Sequence, residues 1–135
     1  MRTISVWVLA LAFGVAFWNS ESLGAAASGS TQTASSGGVT AKVTYQAQTD
    51  HESKFSVVLD THSVNLDTYD LKVLSVLRDD TGLTMAPTRA ENKASGHHRE
   101  ILLTFPRPSL ERKWLELVIK DVAGVKERVF RWKRE

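Results

Sequence analysis

From Val39 onward the chain changes side-chain character at every second residue. Val39, Ala41, Val43, Tyr45 and Ala47 alternate with Thr40, Lys42, Thr44, Gln46 and Gln48. A strand turns successive side chains to opposite faces, so this pattern specifies a strand with one buried face and one wet face. The period recurs downstream. Phe55, Val57 and Leu59 share one parity, as do Ile101, Leu103 and Phe105, and then Leu115, Leu117 and Ile119. No segment has a convincing helical period. Half-buried strands without helices to cover them must pack sheet on sheet.

Seven strands are expected: Val39–Gln48, Lys54–Asp60, Leu71–Arg78, Leu83–Ala90, Arg99–Phe105, Trp114–Lys120 and Val125–Lys133. Leu71–Arg78 is apolar on both parities and reads as buried on both faces. Leu83–Ala90 is weak and broken by Pro87, which suits an edge. Thr61 to Asp70 reads as a polar loop pinned to the core by Val64 and Leu66, and Glu91 to His98 as a second loop. Residues 39–135 therefore predict an all-β domain, a seven-stranded antiparallel immunoglobulin-like sandwich.

The chain has 135 residues and no cysteine. That excludes disulfides, thiolate zinc sites, Fe–S clusters and a blue-copper centre. The net charge is +2, too mild for a nucleic-acid partner. There is no nucleophile elbow, P-loop or dinucleotide fingerprint, so no enzyme is expected.

The first residues read as an export signal. Met1-Arg2 is a short positive start, and the sixteen residues Thr3 to Trp18 carry no charge. That core is shorter than the ~20 residues of a full span. Small residues at Gly24 to Ala27 then suit cleavage after Ala26 or Ala27. Residues 1–27 are thus a signal peptide, with an uncleaved N-terminal anchor as the rival reading. Either one places the remainder outside the cytoplasm, in the periplasm or at the cell surface, with membrane contact only through an uncleaved N-terminus. Residues 28–38 follow as a linker. Nine of these eleven are Ser, Thr or Gly, which predicts a flexible spacer.

Three of the four histidines lie in two short runs, Asp60-Thr61-His62-Ser63 and Ser95-Gly96-His97-His98-Arg99. In an immunoglobulin-like sandwich the second and fifth strands are antiparallel neighbours. The end of Lys54–Asp60 then lies beside the start of Arg99–Phe105. Parity turns Asp60, His62 and His98 to the outer face, with His97 inward if its strand reaches that far. A bulge at Gly96 would reverse that parity.

These runs, with Leu66-Asp67 and Phe105-Pro106, resemble an uncharacterised family of small exported or membrane-tethered bacterial β-sandwich proteins with a DTHS…GHHR signature. The resemblance covers roughly residues 39–132 and departs from the family pattern at Ser95 and Ile101. It implies location and fold, and no activity.

Two readings of the histidines stay open. In one they fix loops, with Asp60, Thr61 and Ser63 as local partners. In the other His62, His98, His97 and Asp60 form a metal site for Zn²⁺ or Cu²⁺, ions that suit imidazole and carboxylate donors. Asp60, His62 and Ser63 are not a catalytic triad, because residues i and i+2 lie ~6.6 Å apart along a strand. Asp79-Asp80-Thr81-Gly82 lacks the spacing of a Ca²⁺ loop and reads as a turn. Arg128, Arg131, Lys133 and Arg134 interleave with apolar residues, either as a partner or lipid stripe or as protection of a sheet edge. The function expected is an exported binding module, its partner another envelope protein, with a periplasmic Zn- or Cu-binding protein as the alternative.

Overall fold

A computed structural model describes residues 30–134. The export segment and its cleavage site fall on residues 1–29 and lie outside the described residues. Among those described, no helix is long and apolar enough to cross a membrane.

The strands are β1 (Thr31–Ser36), β2 (Val39–Gln48), β3 (Glu52–Thr61), β4 (Ser75–Asp79), β5 (Thr84–Met85), β6 (Arg89–Ala94), β7 (His98–Pro106), β8 (Trp114–Val122) and β9 (Val125–Lys133). They form two antiparallel sheets, ordered β1-β2-β3-β7-β6 and β5-β4-β8-β9. The core lies between them. Val43, Tyr45, Phe55, Val57, Leu59, Ile101, Leu103 and Phe105 come from the first sheet. Leu77, Leu115, Leu117, Ile119, Phe130 and Trp132 come from the second. The alternating parities expected from the sequence supply these residues.

There are nine strands rather than seven among the described residues, for two local reasons. Thr31–Ser36, expected within the spacer, forms β1. It needs little apolar area of its own because it borrows the edge of β2, in register from Thr31↔Thr44 to Ser36↔Val39. Thr31 pairs hydroxyls with Thr44 at 2.8 Å, and Ser35 with Thr40 at 2.9 Å. Leu83–Ala90, expected as one strand, is two. Pro87 carries no N–H to donate, and the chain crosses there from β5 in one sheet to β6 in the other. That second piece also takes in much of the expected Glu91–His98 loop.

Leu71–Arg78 is a strand only from Ser75. Asp70 accepts from the backbone N–H of Lys72 at 3.0 Å and caps one helical turn, α1 (Leu71–Leu74). Leu71 is buried while Val73 is 74% exposed, so the mixed parity reflects a turn of helix, not a strand buried on both faces.

Two edges meet where β1 passes β9. The Gln32 side-chain amide donates to the Arg131 carbonyl and accepts from the Arg131 N–H at 3.1 Å. One side chain thus makes the pair of bonds that a neighbouring strand would make. The basic stripe expected on β9 is not a single surface. Arg128 lies on the inward parity with Phe130 and Trp132, only 3% exposed, and donates to the carbonyls of Val122 at 2.7 Å and Ser36 at 2.8 Å. Arg131 faces outward, 4.2 Å above the ring of Trp114.

The two ends of the sandwich differ. One is filled by aromatic rings: Phe55 stacks on Tyr45 at 4.8 Å, meets Phe105 edge-on at 5.7 Å and leans on Trp132 at 5.3 Å. The other gathers the β1–β2, β6–β7 and β8–β9 turns and the loop after β3. Close backbone approach marks this end. A Cβ on Gly37, whose φ is +62°, would stand 2.5 Å from the Ala123 carbonyl oxygen.

Candidate functional site

Strands β3 and β7 pair antiparallel, with Leu59 opposite Arg99 and Asp60 opposite His98. The two histidine runs therefore meet, as strand order and parity predict. No bulge intervenes between these partners; the irregularity nearby lies on β6, between Asn92 and Ala94. His98 Nδ1 hydrogen-bonds Asp60 Oδ1 on the outer face. A carboxylate only accepts, so Nδ1 carries the proton, and in a neutral ring the lone pair sits on Nε2. His97 precedes β7, in the turn, and is exposed rather than inward.

The loop between β3 and α1 is held at five points. The Thr61 N–H donates to the His97 carbonyl at 3.0 Å, joining the two runs through the backbone. The Thr61 hydroxyl donates to the Gly38 carbonyl at 2.8 Å and accepts from the N–H groups of Ser63 and Val64. Leu66 is buried in the core, with Val64 packed against it. Asn65 caps a 3₁₀ turn at Leu66–Thr68. That turn aims the Asp67 carboxylate at Gly96, whose N–H donates to it at 3.2 Å. Tyr69 finally accepts, through its hydroxyl, from the Ala123 N–H at 3.1 Å.

Beneath the loop lies Arg99, only 7% exposed. It donates to the carbonyls of Leu66 and Tyr69, each at 2.6 Å, and to Asn92 Oδ1 at 3.2 Å. Arg99 shares the inward parity of Ile101, Leu103 and Phe105. An arginine on an apolar parity has to find buried acceptors, and that was the available signal for this clamp. Asp67 had a weaker signal, the Asn65-x-Asp67 spacing of a capped turn.

Two clefts open at this end and share His97. One, of about 480 Å³, is lined by Gly38, Thr40, Asp60, Thr61, His62, His97 and His98. The other, of about 330 Å³, runs from Ser63 to Asp67 and along Gly96 and His97. All four residues expected for a metal site thus border one cleft. Among the described residues, however, no three or more His, Asp or Glu side chains are grouped so as to hold a metal ion. The side chains of His62, Ser63 and His97 make no hydrogen bond to another described residue. His51 is remote, in the β2–β3 turn at the aromatic end, where its carbonyl accepts from the Arg107 N–H at 3.0 Å.

Asp79-Asp80-Thr81-Gly82, expected as a turn, has a clear geometry. Asp79, 1% exposed, accepts from Thr81 N–H at 2.9 Å, Thr81 Oγ1 at 2.6 Å and Leu83 N–H at 3.2 Å, with Arg112 at 3.1 Å. Its burial alone would raise the carboxyl; the Thr81 and Leu83 hydrogen bonds and the Arg112 charge outweigh that and hold it below its ordinary value. Ala123 and Gly124, with φ of 53° and 75°, form the β8–β9 turn, and Asp121 near the end of β8 also has a positive φ, 54°.

Comparison of the chain with family models, with curated proteins and with solved structures gives no match.

Proposed function

We propose that this protein is an exported, non-catalytic binding module of the cell envelope, an immunoglobulin-like sandwich that offers its histidine end to another envelope protein. The observation that carries the reading is a division of labour within Asp60–Ser63 and Gly96–Arg99. Asp60, Thr61, Gly96, His98 and Arg99 hold one another or the adjoining loop. His62, Ser63 and His97 are exposed beside them, on the walls of two clefts. Loops fixed on a rigid sheet, with unpartnered polar side chains at their tips, are a common design for recognition. Such a surface needs no chemistry of its own.

The immunoglobulin-like assignment draws support from strand order. The run β2-β3-β7-β6 facing β4-β8-β9 is the order expected of a four-strand and a three-strand sheet in that class. The export reading rests on the short apolar core and the small residues before Ser28.

In-cell photocrosslinking tests the recognition surface. A photoreactive residue at His62 or Ser63 is expected to trap an envelope protein, and one at Val129, on the outer face of the other sheet, is not. Crosslinks from Val129 alone would relocate the surface. Mass spectrometry of the cellular protein tests export; an intact Met1 in the cytoplasmic fraction would overturn that part.

A further inference from the structure

We propose that the larger cleft binds a Zn²⁺ or Cu²⁺ ion through His98 Nε2 and His62, with His97 as a third imidazole at its rim. This rests on the reading of the histidine end as a binding surface, and it names a ligand for it.

The first support is the Asp60–His98 bond. A metal-binding imidazole characteristically gives its other N–H to a carboxylate, which fixes the tautomer and turns the free nitrogen to the ion. Asp60 does this for His98. Its role is therefore positioning, and it is not itself a ligand. The second support is that the histidines left over have no other task. His62 and His97 border the same cleft and bond nothing among the described residues. The third is charge. Asp60 lines this cleft and no Lys or Arg does, so nothing in its wall repels a cation.

Donor type selects the ion. Imidazole nitrogens suit Zn²⁺ and Cu²⁺, whereas Ca²⁺ and Mg²⁺ require oxygen cages. The arrangement described does not yet gather three ligands. Formation of the site therefore requires His62 and His97 to turn about χ1 between staggered wells, which their exposure allows. The backbone beneath them is fixed by the Thr61–His97 bond at 3.0 Å. With two or three imidazoles, the ion keeps water in its remaining positions. This makes an open, exchangeable site and not a closed structural one.

The test uses the untagged protein, purified from the envelope in the form the cell keeps and stripped by chelator. It is titrated with Zn²⁺ and with Cu²⁺ against a chromogenic competitor. One equivalent of one of these ions is expected to bind. His98→Ala and His62→Ala should each weaken binding at least tenfold, and Asp60→Asn by about tenfold through loss of orientation. His51→Ala should leave it unchanged. Melting temperatures without metal identify any variant that fails to fold, and His62→Ala should match the parent there because its ring bonds no other described residue. Absence of uptake, or equal loss in His51→Ala and His62→Ala, would overturn the proposal. Crosslinks from His62 or Ser63 that persist without metal uptake would remove the ion and leave the binding surface standing.

Discussion

The guanidinium of Arg99 donates to the Leu66 carbonyl at 2.6 Å, joining the start of β7 to a loop 33 positions earlier in the chain. The same nitrogen also reaches the Tyr69 carbonyl at 2.6 Å. Those two oxygens lie where no strand can satisfy them. Arg99→Ala would leave the Tyr69 carbonyl unpaired and the Leu66 carbonyl with only the Tyr69 N–H at 3.3 Å, beside a cavity, and is expected to cost about 2–4 kcal/mol of stability by urea denaturation. Arg99→Lys should recover only part of this, because an ammonium lacks the fork that spans both carbonyls and Asn92.

The bond pair between Gln32 and Arg131 predicts a second effect. Gln32→Ala should expose the Arg131 N–H and speed its hydrogen exchange, with a stability loss of about 1 kcal/mol. Exchange at the Leu117 amide, deep in β8, should change only by the global stability difference. Unchanged protection at Arg131 would mean that β1 does not cover the β9 edge.

Acid stability should depend on Glu116. This carboxylate, with 4% of its side chain exposed, bonds Arg78 at 2.8 Å and Arg131 on the outer face of the second sheet. Burial alone would raise its carboxyl; the bonds from Arg131 and Arg78 outweigh that and hold it below the ordinary value. Protons then bind Glu116 more readily in the unfolded chain. Its contribution is complete above the unfolded value and is lost as pH falls through the lower folded one. Glu116→Gln should be about 1–3 kcal/mol less stable at neutral pH. The gap from the parent should narrow as the solution is acidified, which denaturant midpoints across a pH series would show.

What the sequence disclosed follows from what period and parity encode. Phe55, Val57, Leu59, Ile101, Leu103 and Phe105 are buried as their alternation requires, and β3 lies beside β7. That adjacency was enough to bring Asp60 opposite His98. The misreadings arose where local pattern underdetermines structure. Thr31–Ser36 carries no apolar stripe, so its place on the edge of β2 depends on a partner strand that composition does not reveal. Leu71–Leu74 is four residues long, too short for a helical period to show against a strand. The loop clamp by Arg99 was legible only as a charged residue on an apolar parity, and the acceptors it reaches are tertiary. His97 would turn inward only if its strand reached it; β7 begins at His98, so His97 stays in the turn.

Asp60 holds His98 in one tautomer at the end of the sandwich where the histidines meet. A two-dimensional spectrum correlating imidazole nitrogens with ring protons reads this directly, at a pH of ~8.5 where free imidazoles are neutral. The prediction is that His98 carries its proton on Nδ1 and has a bare Nε2, and that Asp60→Asn abolishes this preference while His51 is unaffected. A bare Nδ1 on His98 in the parent protein, or a tautomer indifferent to Asp60→Asn, would contradict it.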